Sequence, residues 1–268
     1  MKNIKLFSLV MALVLVLAAC GSNNNSAGGN NGGDSEGGGD NGGDTYKVGV
    51  DTTYPPFEFQ EGGDYKGIDI DLINAIAEDQ GFNIELKPMD FGGIIPAIQA
   101  DQLDVAIAGM SITDDRKKKV DFSDPYFDAG LTLVVSKDNN DITKPEDLKG
   151  KVVAVKNGTT GADKAQELKD EVGIKEIRQF NDSPSMFQEV SNGNADVLIE
   201  DYPVIAYAIK SKDLGLKTVG DRLNGDQYGI AVKKGENQEL LKMINEGLQN
   251  LRDNGKYDEI INTYLEGE

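Results

Sequence analysis

The sequence predicts an α/β fold made of two lobes of like architecture, and three observations support this prediction. Between residues 46 and 108, short apolar strands alternate with amphipathic helices in the order β-α-β-α-β, which is typical of a parallel sheet with right-handed crossovers. The same order recurs between residues 152 and 199. The segments QADQLDVAIAGM and SNGNADVLIEDY both end a helix and enter a strand through Asp-Val-x-Ile, although a similarity of this length can also arise by coincidence.

The first series shows the periodicity of each element. Leu72, Ile73, Ile76 and Ala77 recur at the spacing of one helical face, and each strand is a short apolar run bounded by polar residues. These signals predict strands at 46–50, 83–87 and 105–108 and helices at 69–79 and 92–100.

The second series repeats these signals after the apolar strand LTLVVSK. Its predicted elements are strands at 152–155, 176–180 and 197–199 and helices at 160–170 and 184–192. A strand at 228–234 and helices at 238–253 and 257–265 complete the chain, and we expect them to return to the first lobe.

Composition excludes several functions. A net charge of −19 over 268 residues argues against nucleic-acid binding, which needs a basic surface. There is no histidine, and the single cysteine, Cys20, precedes the predicted folded part. Imidazole catalysis, a thiol nucleophile, a His/Cys zinc site and an internal disulfide are therefore excluded, and we expect neither a metal nor a cofactor.

The N-terminus predicts export. Residues 1–19 combine two lysines with an apolar run too short for a normal membrane span, so they are predicted to be a signal peptide. Leu17-Ala18-Ala19-Cys20 resembles the bacterial lipobox, which implies lipidation of Cys20; the alternative is an ordinary signal peptide with an incidental cysteine. Residues 20–44 are almost all Gly, Asn, Ser and Asp, which predicts a disordered linker. The predicted location is the extracytoplasmic face of the cell membrane.

Candidate binding residues follow from the rule that open parallel sheets bind ligands beyond the carboxyl ends of their strands. Arg116 lies slightly further on, in a short helix that Thr113 or Asp114 can cap, and a guanidinium beside a helix N-terminus suits a carboxylate. The alternative is that Arg116, like Lys117 to Lys119, is a solvated surface charge. The residues at the strand ends are Asp51, Tyr54, Phe91, Ala108, Gly109, Ser111, Lys156, Thr159, Thr160, Glu200 and Asp201.

Seven motifs carry a resemblance to a known family. They are GVDTTYPPFEF, GIDIDLINAIA, LKPMDFGGIIPAIQ, AGMSITDDRKKKVDFSDPY, GKVVAVKNGTTG, ADVLIEDYP and QYGIAVKKG. Together they resemble the polar amino-acid substrate-binding proteins of bacterial ABC importers, solute-binding protein family 3, and among these the glutamine binders most.

The resemblance implies a type II, periplasmic-binding-protein-like clamshell that closes on its ligand, each lobe holding a mixed, mostly parallel sheet with flanking helices. Lobe 1 would comprise 45–128 plus 226–268, and lobe 2 would comprise 129–225. Two hinge strands would join them at Tyr126 to Gly130 and at Gln227 and Tyr228. The implied partners are a small amino acid, the permease subunits of an ABC transporter and, through the lipid anchor, the membrane; the protein itself would be a monomer.

The family pattern assigns the ligand's α-groups to named residues. Arg116 would bind the α-carboxylate with the backbone N–H of Ser111 and the turn at 159–160. The Gly109 carbonyl, the Ser111 hydroxyl and the Asp201 carboxylate would hold the α-ammonium.

The resemblance also assigns the ligand's side chain. Tyr54 and Phe91 would sandwich its aliphatic part, although Phe91 can also be an ordinary core residue. Asp51 and Lys156 would face its distal end, where a neutral amide can donate to one and accept from the other, which favours glutamine. The sequence departs from the glutamine binders at Glu200, where they often have histidine, at Ser111, which varies, and at Thr160, where they often have glycine.

Two other functions stay open at this point. The ligand can be another polar or basic amino acid, such as glutamate, arginine, histidine or cystine. Secreted dehydratases of the cyclohexadienyl type share the fold, but they need a general acid in the cleft, and Glu200 and Asp201 are better explained by an ammonium group. We therefore expect a receptor and not an enzyme.

Overall fold

Two five-stranded sheets organise the protein, and in each the three parallel strands lie in the order second, first, third along the chain, followed by an antiparallel strand. The computed structural model describes residues 43–265. The strands are β1 (Thr45–Val50), β2 (Thr53–Tyr54), β3 (Glu58–Glu61), β4 (Asp64–Lys66), β5 (Asn83–Pro88), β6 (Val105–Ala106), β7 (Val120–Phe122), β8 (Phe127–Asp128), β9 (Leu131–Ser136), β10 (Val152–Lys156), β11 (Glu176–Phe180), β12 (Val197–Asp201), β13 (Leu216–Val219), β14 (Gln227–Tyr228) and β15 (Ala231–Lys233). The helices are α1 (Ile68–Gln80), α2 (Phe91–Gln99), α3 (Asp114–Lys117), α4 (Thr160–Val172), α5 (Ser183–Ser191), α6 (Tyr202–Ser211), α7 (Gln238–Asp253) and α8 (Lys256–Leu265), with a 3₁₀ helix at Pro145–Leu148.

The first sheet has the order β5-β1-β6-β15-β7, and the second has the order β11-β10-β12-β9-β13. In each sheet the three strands at one side are parallel and the fourth strand runs antiparallel. Helices α7 and α8 pack on α1, so the last two helices return to the side of the first sheet as predicted. The predicted α/β class with two mixed, mostly parallel sheets is confirmed.

Short strands β8 and β14 pair antiparallel with each other where the chain passes between the two sheets. The Tyr126 N–H donates to the Tyr228 carbonyl at 2.9 Å and extends this ladder. Gly130 follows it with a φ of 121°, and an added Cβ would lie 2.7 Å from the Asn224 carbonyl oxygen, so this position needs glycine. The predicted hinge residues Tyr126, Gly130, Gln227 and Tyr228 therefore lie on or beside one two-stranded ladder; their role as a hinge stays a prediction.

Several elements differ from the sequence prediction. The predicted strand at 228–234 is two strands, because residues 227–228 pair with β8 whereas 231–233 pair with β6 and β7. Strand β12 continues to Asp201, so Glu200 and Asp201 end this strand and do not follow it. The sequence prediction missed α6, β13, β7 and the hairpin strands β2 to β4, most of which are too short to show a period.

The predicted lobe limits, 45–128 plus 226–268 and 129–225, stay predictions; all strands of the first sheet lie within the first pair of ranges and all strands of the second sheet within the second. The predicted signal peptide, Cys20 and residues 20–42 of the linker lie outside the described residues. In the described part, none of the helices has the length and apolar character needed to cross a membrane.

Candidate ligand-binding cleft

A narrow pocket lies where the loops that follow the strands of the two sheets meet. Every residue that lines it was a candidate from the sequence: Tyr54, Phe91, Gly109, Ser111, Arg116, Lys156, Thr159, Thr160 and Asp201. Asp51 and Glu200 contact lining residues without lining the pocket themselves. Ala108 is fully buried in the core and does not line it.

Arg116 is held in the pocket by the short helix α3. The Thr113 hydroxyl caps this helix by accepting from the Arg116 N–H at 3.2 Å. The Arg116 side chain is only 8% exposed, and its guanidinium donates to the Ser111 carbonyl at 2.9 Å and, from the other sheet's side, to the Gly158 carbonyl at 3.0 Å. Its guanidinium carbon Cζ lies 5.2 Å from the centre of the Phe91 ring. Lys117 to Lys119 are exposed, unlike Arg116, whose role in ligand binding stays a prediction.

The buried Arg116 guanidinium has only neutral hydrogen-bond partners. Within residues 43–265, no carboxylate lies at ion-pair distance from it. Burial lowers the pKa of Arg116, while the more distant Asp163 and Asp201 carboxylates raise it. A buried cation without a counter-ion is costly, so this geometry can accept an anionic group such as a carboxylate.

Asp201 lies at the end of β12 and is held by two tyrosines. The hydroxyls of Tyr54 and Tyr228 each donate to Asp201 Oδ2 at 2.7 Å. Its other oxygen, Oδ1, is buried and has no donor among the described residues. Burial raises the pKa of Asp201, and the two hydroxyl hydrogen bonds counteract this effect. The free oxygen can accept from a cationic or neutral donor in the pocket.

Gly109 follows β6 and faces the Tyr54 ring. Its φ is 51°, and an added Cβ would lie 2.7 Å from that ring, so no other residue fits without displacement. The Gly109 N–H donates to Asp69 Oδ2 at 2.7 Å, which fixes the orientation of this peptide.

Asp51 and Lys156 form an ion pair that joins the ends of β1 and β10. Both side chains are at most 3% exposed. The Thr53 N–H and hydroxyl donate to Asp51 Oδ1 at 3.0 and 2.6 Å, and the Lys156 ammonium lies 4.6 Å from the centre of the Tyr54 ring. The two side chains predicted to face the far end of the ligand therefore neutralise each other.

Glu200 is 3% exposed and lies beside Asp201. Its Oε2 accepts from the Ser183 hydroxyl at 2.9 Å, and its Oε1 accepts from the Asp201 N–H at 2.9 Å and from the Tyr54 hydroxyl at 3.1 Å. Burial and the neighbouring Asp201 carboxylate raise the pKa of Glu200 to about 7.

Thr159 and Thr160 form the start of helix α4. The Thr159 hydroxyl accepts from the Ala162 N–H at 3.3 Å and donates to the Lys156 carbonyl at 2.8 Å. This cap places the helix N-terminus at the pocket, and the preceding residue, Gly158, accepts from Arg116. An N-terminal helix dipole adds to the attraction for an anion at Arg116.

The sequence reasoning missed four residues that support the pocket. Tyr228 was predicted only as a hinge residue, and Ser183, Glu58 and Asp69 were not considered. Glu58 Oε2 accepts from the Asp51 N–H at 2.9 Å, and burial, followed by Asp69 and Asp51, raises its pKa well above the usual value. A signal existed for the two acids, because Phe57-Glu58-Phe59 and Ile68-Asp69-Ile70 each place one acid between apolar residues.

These features define a two-lobed ligand-binding protein whose cleft sets one guanidinium against acidic side chains of the other sheet. Among residues 43–265, no cluster of three or more His, Cys, Asp or Glu side chains is arranged to hold a metal. Residues 46–267 match the family described as "Bacterial extracellular solute-binding proteins, family 3". The chain belongs to this family.

Named relatives agree with this membership. A "Probable histidine-binding protein" from Neisseria gonorrhoeae is 34% identical over 259 residues, covering 95% of this chain and 92% of the relative. The solved structure of "An ancestral arginine-binding protein bound to arginine" is 45% identical with a TM-score of 0.78 and covers 82% of this chain and 98% of that one. The solved structure of "An ancestral arginine-binding protein bound to glutamine" is also 45% identical, with a TM-score of 0.76, and covers 82% of this chain and 97% of that one.

The predicted membership is thereby confirmed, and this protein is an amino-acid-binding component of ABC import with the two-lobed fold of its family. These comparisons do not favour the predicted finer resemblance to glutamine binders, because the relatives are named for histidine, arginine and glutamine alike.

Proposed function

We propose that the cleft binds a polar L-amino acid with its α-carboxylate at Arg116 and its α-ammonium at Asp201. The observation that carries this proposal is the buried guanidinium with neutral partners only. An α-carboxylate would supply its missing counter-ion, and an α-ammonium would supply the donor that Asp201 Oδ1 lacks.

The experiment is calorimetric titration of Arg116→Ala with a panel of L-amino acids. The expected result is a loss of affinity of about 100-fold or more for every ligand, because each one presents the same α-carboxylate. Lys118→Ala is the matched control: it removes an exposed cation two residues away that pairs with Asp115, and it should change affinity little. Wild-type affinity in Arg116→Ala would refute the carboxylate assignment.

For the side chain we propose glutamine. Asp51 and Lys156 cancel each other's charge, so the group that lies against them should be uncharged and should offer both a donor and an acceptor. A primary amide does so. Asparagine, one methylene shorter, should bind more weakly by about 1 to 3 kcal/mol.

A cationic amino acid, with arginine as the test case, is the second candidate. Glu200 beside Asp201 gives the cleft one more acid than base, which favours a positive side chain. The arginine- and histidine-binding names of the relatives support the same candidate. Titration with glutamine, asparagine, glutamate, arginine, histidine and cystine distinguishes the candidates, and glutamate should bind weakest.

We propose a non-catalytic role. Glu200 does not line the pocket, and the free oxygen of Asp201, which does line it, is assigned to the ligand's α-ammonium, so neither is placed as a general acid for a dehydratase substrate. Incubation with cyclohexadienyl acids should give no product, and turnover lost in Glu200→Gln would establish an enzyme instead.

We also propose that lipid-modified Cys20 anchors the protein at the extracytoplasmic face of the membrane, where it delivers its ligand to the permease as a monomer. Cys20→Ser should move the protein from the membrane to the soluble fraction and abolish incorporation of labelled fatty acid. Unchanged fractionation, with a mature N-terminus other than Cys20 by mass spectrometry, would indicate an ordinary signal peptide.

A further inference from the structure

Five buried charged side chains line the pocket or contact a side chain that lines it, and their charges do not cancel. The buried acids Glu58 and Asp69 lie behind them and accept from the backbone N–H groups of Asp51 and Gly109. Asp51 and Lys156 neutralise each other. Under the proposed function, on which this inference rests, Arg116 meets the ligand's α-carboxylate and Asp201 meets its α-ammonium. Glu200 is then the one acid of the five without a counter-charge.

We propose that Glu200 is a proton-exchanging specificity residue: it stays ionised when the bound side chain is cationic and takes up a proton when the bound side chain is neutral. It acts across Tyr54 and Asp201, which line the pocket, and not by touching the ligand. The side-chain charge of the ligand would thus be matched by the charge of the protein.

The hydrogen bonds of Glu200 permit both states. Its Oε2 contacts the Ser183 hydroxyl at 2.9 Å, and a hydroxyl can donate to a carboxylate or accept from a carboxylic acid without moving. Ser183 is fully buried at the start of α5, so this contact persists in either state. On Oε1, the Tyr54 hydroxyl is shared with Asp201, which holds it more closely at 2.7 Å than Glu200 does at 3.1 Å.

The groups around Glu200 place its protonation equilibrium near neutral pH. Glu200 lies beside Asp201 of its own strand. It also faces one residue from each of three other elements: Tyr54 of β2, Ser183 of α5 and Lys156 of β10. Tyr228 of β14 is hydrogen-bonded to the same Asp201. Burial and Asp201 favour the protonated acid, whereas Lys156, Ser183 and the Asp201 N–H favour the carboxylate, and the resulting pKa is about 7.

Two opposite pH dependences follow. A neutral ligand prefers the protonated acid, so its affinity should fall as pH rises above about 7, by at most tenfold per pH unit. A cationic ligand prefers the carboxylate, so its affinity should rise as pH increases towards that value and then level off. Near pH 7, glutamine binding should take up a fraction of a proton, and arginine binding should release a fraction of a proton.

The test is calorimetry of the full chain in mild detergent at the pH where Glu200 is half ionised. Titrations with L-glutamine and L-arginine in buffers of different ionisation enthalpy give the number of protons exchanged. Glu200→Gln should abolish the exchange for both ligands and flatten both pH profiles, a readout that a merely structural role would not move. Glu171→Gln, an exposed acid of lobe 2, is the matched control and should leave the exchange unchanged.

Binding without proton exchange, or with the same exchange in Glu200→Gln, would overturn this inference and leave the proposed function standing. Absence of binding by any amino acid to the folded protein would instead refute the proposed function. In that case ¹³C NMR of glutamate-labelled protein still decides the matter: a carboxyl signal that is lost in Glu200→Gln should titrate near 7, and titration in the usual range of an exposed glutamate would refute the proposal.

Discussion

The three parallel strands of one sheet correspond to those of the other in arrangement, and their sequences can be aligned residue by residue at the strand pairs. Val48 pairs with Val105 in the first sheet, and Val153 pairs with Val197 in the second. One residue earlier, Asp104 accepts from the Lys47 N–H at 2.8 Å, and Asp196 accepts from the Val152 N–H at 2.7 Å. The Asp-Val-x-Ile similarity noted in the sequence therefore corresponds to the same structural position in both halves.

The difference between the halves lies at the cleft. Counting from these pairs, Asp51 matches Lys156, Ala108 matches Glu200, and Gly109 matches Asp201. At two of these matched positions, the first half has the small residues Ala108 and Gly109, with their peptide groups, where the second half has two acids. At the third, the two halves carry opposite charges, and Asp51 and Lys156 form an ion pair. The scaffold is duplicated, whereas the chemistry of the site depends on residues that break the symmetry.

The largest expected effect comes from breaking the ion pair between the matched positions. Lys156→Met leaves Asp51 as an uncompensated buried charge, which costs about 3 to 5 kcal/mol. Ligand affinity, measured by calorimetry, should fall by about 100-fold or more. The double variant Lys156→Met with Asp51→Asn should recover most of this loss; a double variant as weak as the single one would show that charge pairing is not the cause.

A second prediction concerns helices α1 and α4, which both have 13 residues and carry Asp69 and Gly161 at their second position. Burial raises the pKa of Asp69 from 3.8 to about 7. The folded state therefore keeps a proton that the unfolded chain releases, so stability falls as pH rises from about 4 to about 7 and is then constant.

Asp69→Asn should remove this part of the pH dependence, about 2 to 4 kcal/mol, in urea unfolding measured across that range. Its amide oxygen can still accept from the Gly109 N–H. Glu78→Gln, an exposed acid on the same helix, should keep the wild-type profile. Identical profiles for Asp69→Asn and the wild type would contradict the prediction.

A third prediction concerns Gly109, the counterpart of Asp201. Gly109→Ala would place a Cβ 2.7 Å from the Tyr54 ring at a φ of 51° and should destabilise the protein by about 1 to 3 kcal/mol. Gly93→Ala in helix α2 adds a Cβ with no atom within 4 Å and should stabilise by about 0.5 to 1 kcal/mol. Thermal unfolding of both variants checks the prediction, and equal shifts would contradict it.

The smallest expected effect tests the symmetry itself. Asp104→Ala and Asp196→Ala each remove one hydrogen bond to a backbone N–H at a strand entrance, worth about 1 kcal/mol. The two free energies of unfolding should fall by similar amounts. A difference above about 1 kcal/mol would show that the two halves do not use this contact alike.

The sequence by itself determined the alternation of strands and helices, the duplication and the candidates that line the pocket, because these depend on local periodicity and on strand ends, which a linear pattern records. The family came from the resemblance that its motifs carry. Tertiary structure alone decided that Asp51 pairs with Lys156, that Tyr54 and Tyr228 hold Asp201, and that Ser183 contacts Glu200. Tyr54 and Asp201 are separated by 147 residues, and only the folding of both halves around one cleft brings such distant groups into a shared, water-poor environment where charge and hydrogen bonding set their roles.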